Sequence, residues 1–160
     1  MPNRHGPNSW DDYLTVHESR IRDFVGHFIL DDRLSFIRTE TLVLWQGELV
    51  CADGIEIHVT KTQRVWHRQG RPWVETTDYS YHVLRRLGPR VLGLFRYDDA
   101  AHHDHPDPHH RHRFDGDGVE IEPPQHVGVE GWPTLGDVIE EAHNLWRAGS
   151  GTAGVGRDLP

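Results

Sequence analysis

A hairpin signal near the middle of the chain constrains the fold more than any other feature. The dipeptide Asp53-Gly54 separates the strand-like runs LVLWQGELVCA and IEIHVTKTQRVW. Asp-Gly favours the backbone of a tight turn between antiparallel strands. After the turn, apolar and polar residues alternate over residues 55–60, which is the pattern of a half-buried strand. We therefore predict two antiparallel strands, residues 42–52 and 55–66.

Further strand-like segments follow, each separated from the next by turn residues. The letters HRQGRP at 67–72 predict a turn, and residues 73–84 a third strand. The letters LGP at 87–89 break the chain before a fourth strand at 90–98. The letters HRF at 112–114 indicate the start of a short fifth strand.

Helical patterns flank this β region on both sides. Ser9 is a suitable N-cap, and apolar residues recur at helical spacing after it, so residues 10–30 are predicted to form an amphipathic helix. Thr134 is a second N-cap before another apolar face. Gly149 is expected to end that second helix.

The combined pattern predicts an α+β fold, an antiparallel β-meander of four to five strands flanked by an N-terminal and a C-terminal helix. The helices should cover one face of the sheet and leave the other face free to carry function. We expect residues 1–9 to be disordered, 10–148 to form one domain, and 149–160 to be a flexible tail.

Composition limits the class of protein. The single cysteine, Cys51, excludes an intrachain disulfide framework, and in an apolar strand it is expected to be a buried hydrophobic residue. The chain has no long apolar run and a polar N-terminus, which predicts a cytoplasmic protein without a membrane span. A formal net charge of −8 argues against non-specific nucleic-acid binding. The 14 histidines titrate near physiological pH, so local charge matters more than net charge.

Many of the histidines are concentrated in RYDDAAHHDHPDPHHRHRF, residues 96–114. One interpretation is a solvated polar loop. A second is a metal site, because His103-x-His105 and His110-x-His112 could chelate zinc or another divalent metal. No zinc motif of recognised spacing is present, however, and two prolines interrupt the segment.

Acid–base chemistry on RNA is the third interpretation. Histidine suits proton transfer because its pKa lies near working pH, and arginine suits a phosphate. The segment supplies Asp98 as a group to orient an imidazole. The other candidates are His102, His103, His105, His109, His110, His112, Arg96, Arg111 and Arg113.

Strand alternation adds a residue outside the segment. The third and fourth strands are joined by a short turn, so they are predicted to pair and to bring His82 and Arg96 onto one surface. A regular fourth strand would place Leu92, Leu94, Arg96 and Asp98 on a single face. The structural alternatives are a strand histidine at His82 and a surface salt bridge at Arg96.

Three motifs in this order resemble the TumE family of toxin components of toxin–antitoxin systems. They are YSYH at 79–82, RYDDAAHH at 96–103 and PHHRH at 108–112, where the family reads approximately YSYH, RYDNAPHH and PHHKH. The similarity, including ADGIEIHV before the motifs and TLGDVIEEA after them, covers roughly residues 42–145. Asp99 and Ala101 depart from the family's Asn and Pro, and both lie in the loop. The resemblance picks out Tyr81, His82, Arg96, Asp98, His102, His109, His110 and His112.

The resemblance implies a growth-inhibiting toxin that acts on RNA or translation and is paired with a helix-turn-helix antitoxin. Our hypothesis is a toxin of a type II system that cleaves RNA, or ribosome-associated RNA, as a metal-independent endoribonuclease without a cofactor. His82 or a loop histidine would be the base, a second histidine the acid, and Arg96 with Arg111 would stabilise the phosphorane. Substrate contacts are expected from Tyr81, Tyr97, Arg111 and Arg113. The alternatives are a metal-dependent hydrolase with a histidine-rich metal site, and a non-catalytic toxin that binds and blocks its target.

Overall fold

Antiparallel strands build one large sheet in the computed structural model, which describes residues 4–99 and 106–155. The order along the chain is β1 (Asn8–Ser9), α1 (Trp10–Arg22), β2 (Ile29–Asp32), β3 (Ser35–Arg38), β4 (Leu42–Cys51), a 3₁₀ turn (Ala52–Gly54), β5 (Ile55–Arg68), β6 (Arg71–Leu87), β7 (Arg90–Asp98), β8 (His110–Phe114), β9 (Glu120–His126) and α2 (Leu135–Val155). In space the strands lie in the order β2-β4-β5-β6-β7-β8-β9. In addition, β3 pairs with β4 and β1 pairs with β6.

The predicted turns lie where the sequence indicates. Asp53 and Gly54 have φ values of 56° and 75°, and they connect β4 to β5. Gln69 and Gly70, with φ values of 52° and 74°, connect β5 to β6. Gly88, with φ of 60°, lies in the turn before β7. The predicted meander is therefore confirmed from β4 to β8.

The sheet is larger than predicted, with nine strands instead of four to five. The missed strands are β1, β2, β3 and β9. Neither β2 nor β3 shows an alternating pattern of burial, because only Ile29 of their eight residues is buried. The strand β9 contains Pro123 and Pro124, which indicate a loop in the sequence. Proline is tolerated there because β9 is the last strand of the sheet and pairs on one side only.

The first helix is shorter than the predicted range of 10–30. Ser9 is its N-cap, as predicted, and accepts a hydrogen bond from the Asp12 amide at 3.2 Å. The helix ends at Arg22, and Gly26 then adopts a φ of 92° that lets the chain turn. Ile29 is buried in β2, although its spacing also fits a helix.

The N-terminal segment contacts the fold, and the last helix is longer than expected. Asn8–Ser9 pairs with β6, and the His5 ring stacks on Trp132 with centroids 3.7 Å apart. The disorder of residues 1–9 and the flexibility of residues 149–160 stay predictions. Gly149 does not end α2, which continues to Val155. Residues 1–3 and 156–160 lie outside the described part of the chain.

The helices cover one face of the sheet, as predicted. The main core joins Ile21 of α1 and Val138 and Ile139 of α2 to strand residues that include Tyr81 and Val83. Hydrophobic burial of this kind contributes roughly 25 cal/mol per Å² of apolar area. We call this the helix-covered face, and the other, which neither helix of the described residues covers, the uncovered face.

Two further expectations concern Cys51 and membranes. Cys51 is buried in the core, and burial raises the pKa of its thiol to about 12. Within residues 4–99 and 106–155, neither helix is long and apolar enough to cross a membrane.

Candidate functional site

Four side chains form a row across the uncovered face. His58 of β5 lies opposite His82 of β6, His82 lies opposite Arg96 of β7, and Arg96 lies opposite His112 of β8. Residues paired across antiparallel strands point to the same face, with Cβ atoms about 4.5–5.5 Å apart. The predicted proximity of His82 and Arg96 is therefore confirmed. We call His82, Arg96 and His112 the central row.

Arg96 is held by groups on its own strand and on the neighbouring strand. Its Nε donates a hydrogen bond to Asp98 Oδ2 at 3.0 Å. Its Nη2 lies 3.2 Å from His112 Nδ1 and 3.9 Å from Glu120 Oε1. With two carboxylates and an imidazole around it, the guanidinium is fixed in the middle of the row.

Asp98 joins the arginine to two histidines. Its Oδ2 lies 3.1 Å from His112 Nε2, and its Oδ1 lies 3.7 Å from His110 Nδ1. The other ring nitrogen of His112, Nδ1, contacts Glu120. Asp98, His110 and His112 are all buried, and His110 has no exposed surface. The attraction between opposite charges is stronger in a buried, low-dielectric environment than in water. The Asp98 carboxylate therefore holds the cationic groups of the row in place.

The electrostatics of His82 differ from those of His112. Burial lowers the pKa of His82, and the positive charge of Arg96 lowers it further. Its Nε2 atom is buried and has no hydrogen-bond partner among the described residues. A neutral imidazole with an unpaired nitrogen can accept a proton.

An aromatic ring covers His82, and a glycine makes room for that ring. The rings of Phe114 and His82 are stacked with centroids 5.7 Å apart. A Cβ atom at Gly93 would lie 2.7 Å from a ring carbon of Phe114. Only glycine fits beneath the ring without displacing it.

The fourth strand is not regular, which corrects one prediction. The pairing of β6 with β7 shifts between Val83 and Leu84, so that Leu84 lies opposite Gly93 and Leu94 becomes an extra residue. A bulge of this kind reverses the faces on one side of it. Arg96 and Asp98 share a face as predicted, whereas Leu92 does not share that face.

All four residues predicted to contact the substrate point instead to the helix-covered face, and three of them, Tyr81, Tyr97 and Arg111, are held there by contacts. Arg111 Nη2 donates to Glu141 Oε1 at 2.6 Å, and Arg111 Nε donates to the Tyr97 hydroxyl at 3.1 Å. That hydroxyl donates to Glu141 Oε2 at 2.9 Å, so the three groups connect β7 and β8 to α2. Tyr81 is buried in the core, where burial raises its pKa well above the ordinary value.

Strand alternation explains this separation. Arg111 and Arg113 alternate with His110 and His112 along β8, so they point to the other side of the sheet. Arg113 is exposed and lies opposite Phe95. The structure therefore does not bring Arg111 or Arg113 to Arg96.

His109 also lies apart from the central row. Its Nδ1 is 2.9 Å from the Tyr79 hydroxyl, and its ring stacks on Trp132 at 4.6 Å. The carboxylate of Asp107 accepts hydrogen bonds from the backbone amides of His109 and Gly128 and so fixes the start of β8. The remaining candidates, His102, His103 and His105, lie outside the described residues.

Two residues beside the row were missed in the sequence. Glu120 lies opposite Phe114 because the Asp115–Gly118 turn joins β8 to β9. The Asp-Gly pairs in this turn are a hairpin signal of the same kind as Asp53-Gly54, and they could have predicted the pairing of β8 with β9. His58 follows from the alternation of β5, where it is an outward residue.

The described residues do not supply a set of ligands for the metal site that the sequence suggested as one alternative. Across residues 4–99 and 106–149, no three His, Cys, Asp or Glu side chains are placed to hold one ion. The rings of the predicted pair His110 and His112 have centroids 6.2 Å apart. The other predicted pair, His103 and His105, is not described.

Comparison with known proteins identifies the family. The family model described as toxin TumE matches residues 17–144. This range includes the three strands of the central row, β6 to β8, and the flanking strands β5 and β9. Searches among curated proteins and among solved structures found no match. Membership of a toxin family implies a cognate antitoxin as partner. On this match, which spans most of its length, the chain belongs to the TumE family of toxins.

Proposed function

We propose that this toxin is a metal-independent endoribonuclease of a type II toxin–antitoxin system, with the central row as its active site. One observation carries the proposal: a guanidinium lies between two imidazoles on neighbouring strands. Cleavage of RNA by its own 2′-hydroxyl needs a base, an acid and a cation for the pentacoordinate phosphorane. The row supplies one group of each kind.

His82 is assigned as the base. Its lowered pKa keeps the ring neutral at neutral pH, and its Nε2 is free of hydrogen bonds to the described residues. It would take the proton from the 2′-hydroxyl as that oxygen forms its bond to phosphorus. General-base catalysis of this kind typically contributes about 10²–10⁴ in rate.

His112 is assigned as the acid. It lies on the far side of Arg96 from His82, and its two ring nitrogens contact the carboxylates of Asp98 and Glu120. It would protonate the 5′-oxygen as the bond from phosphorus to that oxygen breaks. In-line displacement requires the entering and leaving oxygens on opposite sides of the phosphorus, which matches the arrangement of the two imidazoles.

Arg96 is assigned to the phosphate and Asp98 to positioning. A guanidinium offers a permanent charge and fixed donors to the phosphorane oxygens, and removing one such group typically costs about 10²–10³ in rate. Asp98 contacts both Arg96 and His112, so it would fix the positions of these two side chains relative to each other. Arg111 has no part in this proposal because it is bound to Glu141.

The exposure of the row suggests how RNA would reach it. The Arg96 side chain is 29% exposed, whereas that of His112 is 7% exposed. A phosphate would therefore meet Arg96 first, and the side chains over the imidazoles, such as Phe114, would shift on binding. The net charge of −8 favours weak, local contact with RNA, or RNA presented by a larger particle such as the ribosome.

The proposal extends to the partner. We propose that the partner is a helix-turn-helix antitoxin and that the two proteins meet in the cytoplasm. The antitoxin would bind over the central row, because a free active site would harm the host. Hydrogen exchange on the complex tests this point. Protection of the amides of β7 and β8 is expected, and unchanged exchange there would contradict direct occlusion.

Expression in cells tests the active-site assignment. Arg96→Met and His82→Gln should both abolish growth inhibition while the purified variants still unfold cooperatively. The matched control is Arg90→Met, which removes an exposed arginine at the start of the same strand and should stay toxic. Full toxicity of both site variants would favour the non-catalytic toxin that blocks its target by binding.

A further inference from the structure

A second site is suggested by a cavity on the helix-covered face. Its volume is about 450 Å³, and it lies between α1, the start of α2, the N-terminal segment and the inner side of β5 and β6. Cavities of roughly 300–1,000 Å³ are typical of small-molecule sites. The sheet separates this cavity from the central row, since Tyr81 lines the cavity and His82 points the other way.

The only lysine of the chain, Lys61, lines this cavity. It lies at an inward position of β5, where Ile57 and Val59 before it are core residues, and it is 5% exposed. Its Nζ donates a hydrogen bond to the Tyr13 hydroxyl. Within the described part of the chain, no carboxylate lies at ion-pair distance from Nζ. The ring centroids of Tyr13 and Trp45 also lie 4.8 Å and 5.6 Å from Nζ. The described residues thus give an ammonium here a hydroxyl and two aromatic rings but no counter-ion, and a buried charge without a counter-ion is costly.

The other titratable groups that face the cavity are mostly basic. His17 and Arg20 reach it from α1, and Arg4 and His5 reach it from the N-terminal segment. The one carboxylate, Asp137 of α2, is already paired with Arg4 and accepts a hydrogen bond from the Thr134 amide. Burial lowers the pKa of both His5 and His17 to about 4, so these rings are neutral at pH 7. With Arg4 paired to Asp137, the cations left to receive a ligand at the cavity are Arg20 and Lys61.

Titration of the buried groups agrees with this picture. Burial lowers the pKa of Lys61 to about 7. Burial, and then the charge of Lys61, lowers the pKa of His17 to about 4. An anion in the cavity would favour the charged form of Lys61 and raise its pKa, so binding would be coupled to proton uptake.

We propose that the cavity binds a small organic anion, a carboxylate or a phosphate monoester, whose charged group is received by Lys61. Arg20 is the second cation at the cavity, and Val16 and Ile139 offer apolar contact to the body of the ligand. The proposal is independent of RNA cleavage, because the central row lies on the other face of the sheet.

Selective isotope labelling of lysine gives a direct test, because the chain contains one lysine and therefore one Hε–Cε resonance. The probes are orthophosphate, AMP and pyruvate, which separate the phosphate source from the carboxylate source. At least one probe should shift the resonance saturably at millimolar concentration and raise its titration midpoint by one pH unit or more. No saturable shift with any probe would overturn the proposal.

Thermal unfolding provides the second arm. The probe that shifts the resonance should raise the melting temperature of the wild-type protein and leave that of Lys61→Met unchanged. The control is Arg64→Met, which removes an exposed cation of the same strand and should keep the stabilisation. Equal stabilisation of Lys61→Met and the wild type would contradict the role of Lys61. If Lys61→Met does not fold, the resonance of the unaltered protein decides the question.

Discussion

Arg96 lies directly opposite His82 on the neighbouring strand, and its charge adds to burial in lowering the pKa of that histidine. On the other side of the arginine, Asp98 and Glu120 contact Arg96 and His112, and the negative charge of Glu120 opposes the lowering of the His82 pKa. The site is therefore a coupled set in which one cation sits between two imidazoles of different environment. Its chemistry depends on that difference.

The titration of His82 should depend on Arg96. In the wild type, the ring should titrate below the ordinary histidine value of about 6.5, because burial and the neighbouring cation both disfavour the imidazolium. Replacing Arg96 by Met removes the cation and should move the midpoint upward, whereas Arg96→Lys should largely retain it. NMR titration of the His82 ring protons measures this, and an unchanged midpoint in Arg96→Met would show that the two residues are not coupled.

Gly93→Ala should disturb the site through packing. The added Cβ would lie 2.7 Å from the ring of Phe114, which is stacked on His82. Overpacking of this kind typically costs about 1–3 kcal/mol, and the displaced ring should also reduce activity. Urea unfolding gives the stability change. Gly116→Ala is the control, since a Cβ there meets no atom within 4 Å, and an equal loss in both variants would refute the packing argument.

Glu141→Ala should loosen the contact between α2 and the sheet. It removes the acceptor of both Arg111 and the Tyr97 hydroxyl and leaves a half-buried guanidinium without its carboxylate. We expect a loss of about 1 kcal/mol in the free energy of unfolding, which is typical of partly exposed ion pairs with good geometry. The exposed neighbour Glu140→Ala should cost little, and similar values for the two would contradict the assignment.

Much of this fold follows from local signals in the sequence. The Asp53-Gly54 turn and the alternation after it predict β4 and β5, and the short LGP turn predicts the pairing that aligns His82 with Arg96. The strands that escaped prediction carry no such signal, because β2 and β3 are largely exposed and β9 contains two prolines.

The site was only partly predictable for a similar reason. Alternation along β8 separates His110 and His112 from Arg111, but the histidine-rich composition of the segment concealed this division. Lys61 occupies an inward position of β5 and interrupts its apolar pattern. The hydroxyl that accepts its hydrogen bond belongs to Tyr13 of α1, 48 residues away in sequence. Such long-range contacts do not follow from spacing alone.

Stability should fall in acid, in part because of His17. Its folded pKa is lowered to about 4, whereas a histidine in the unfolded chain titrates near 6.5. Between these values the unfolded chain binds a proton that the folded protein does not, so stability decreases as the pH is lowered through this window. His17→Phe should flatten the dependence of melting temperature on pH from 6.5 to 4. His67→Phe, at an exposed position, should leave the dependence unchanged, and an unaltered slope in His17→Phe would contradict the prediction.

The chemical groups on the new RNA ends reveal whether the central row cleaves RNA through its 2′-hydroxyl. Purified protein is incubated with total RNA in EDTA, and the new ends are sequenced by methods that distinguish their phosphates. Attack by the 2′-hydroxyl in the central row should give fragments with 2′,3′-cyclic phosphate and 5′-hydroxyl ends, formed by the wild type and by Arg90→Met but reduced at least about 100-fold in Arg96→Met. The absence of cleavage in EDTA, or ends that carry a 5′-phosphate, would contradict this mechanism.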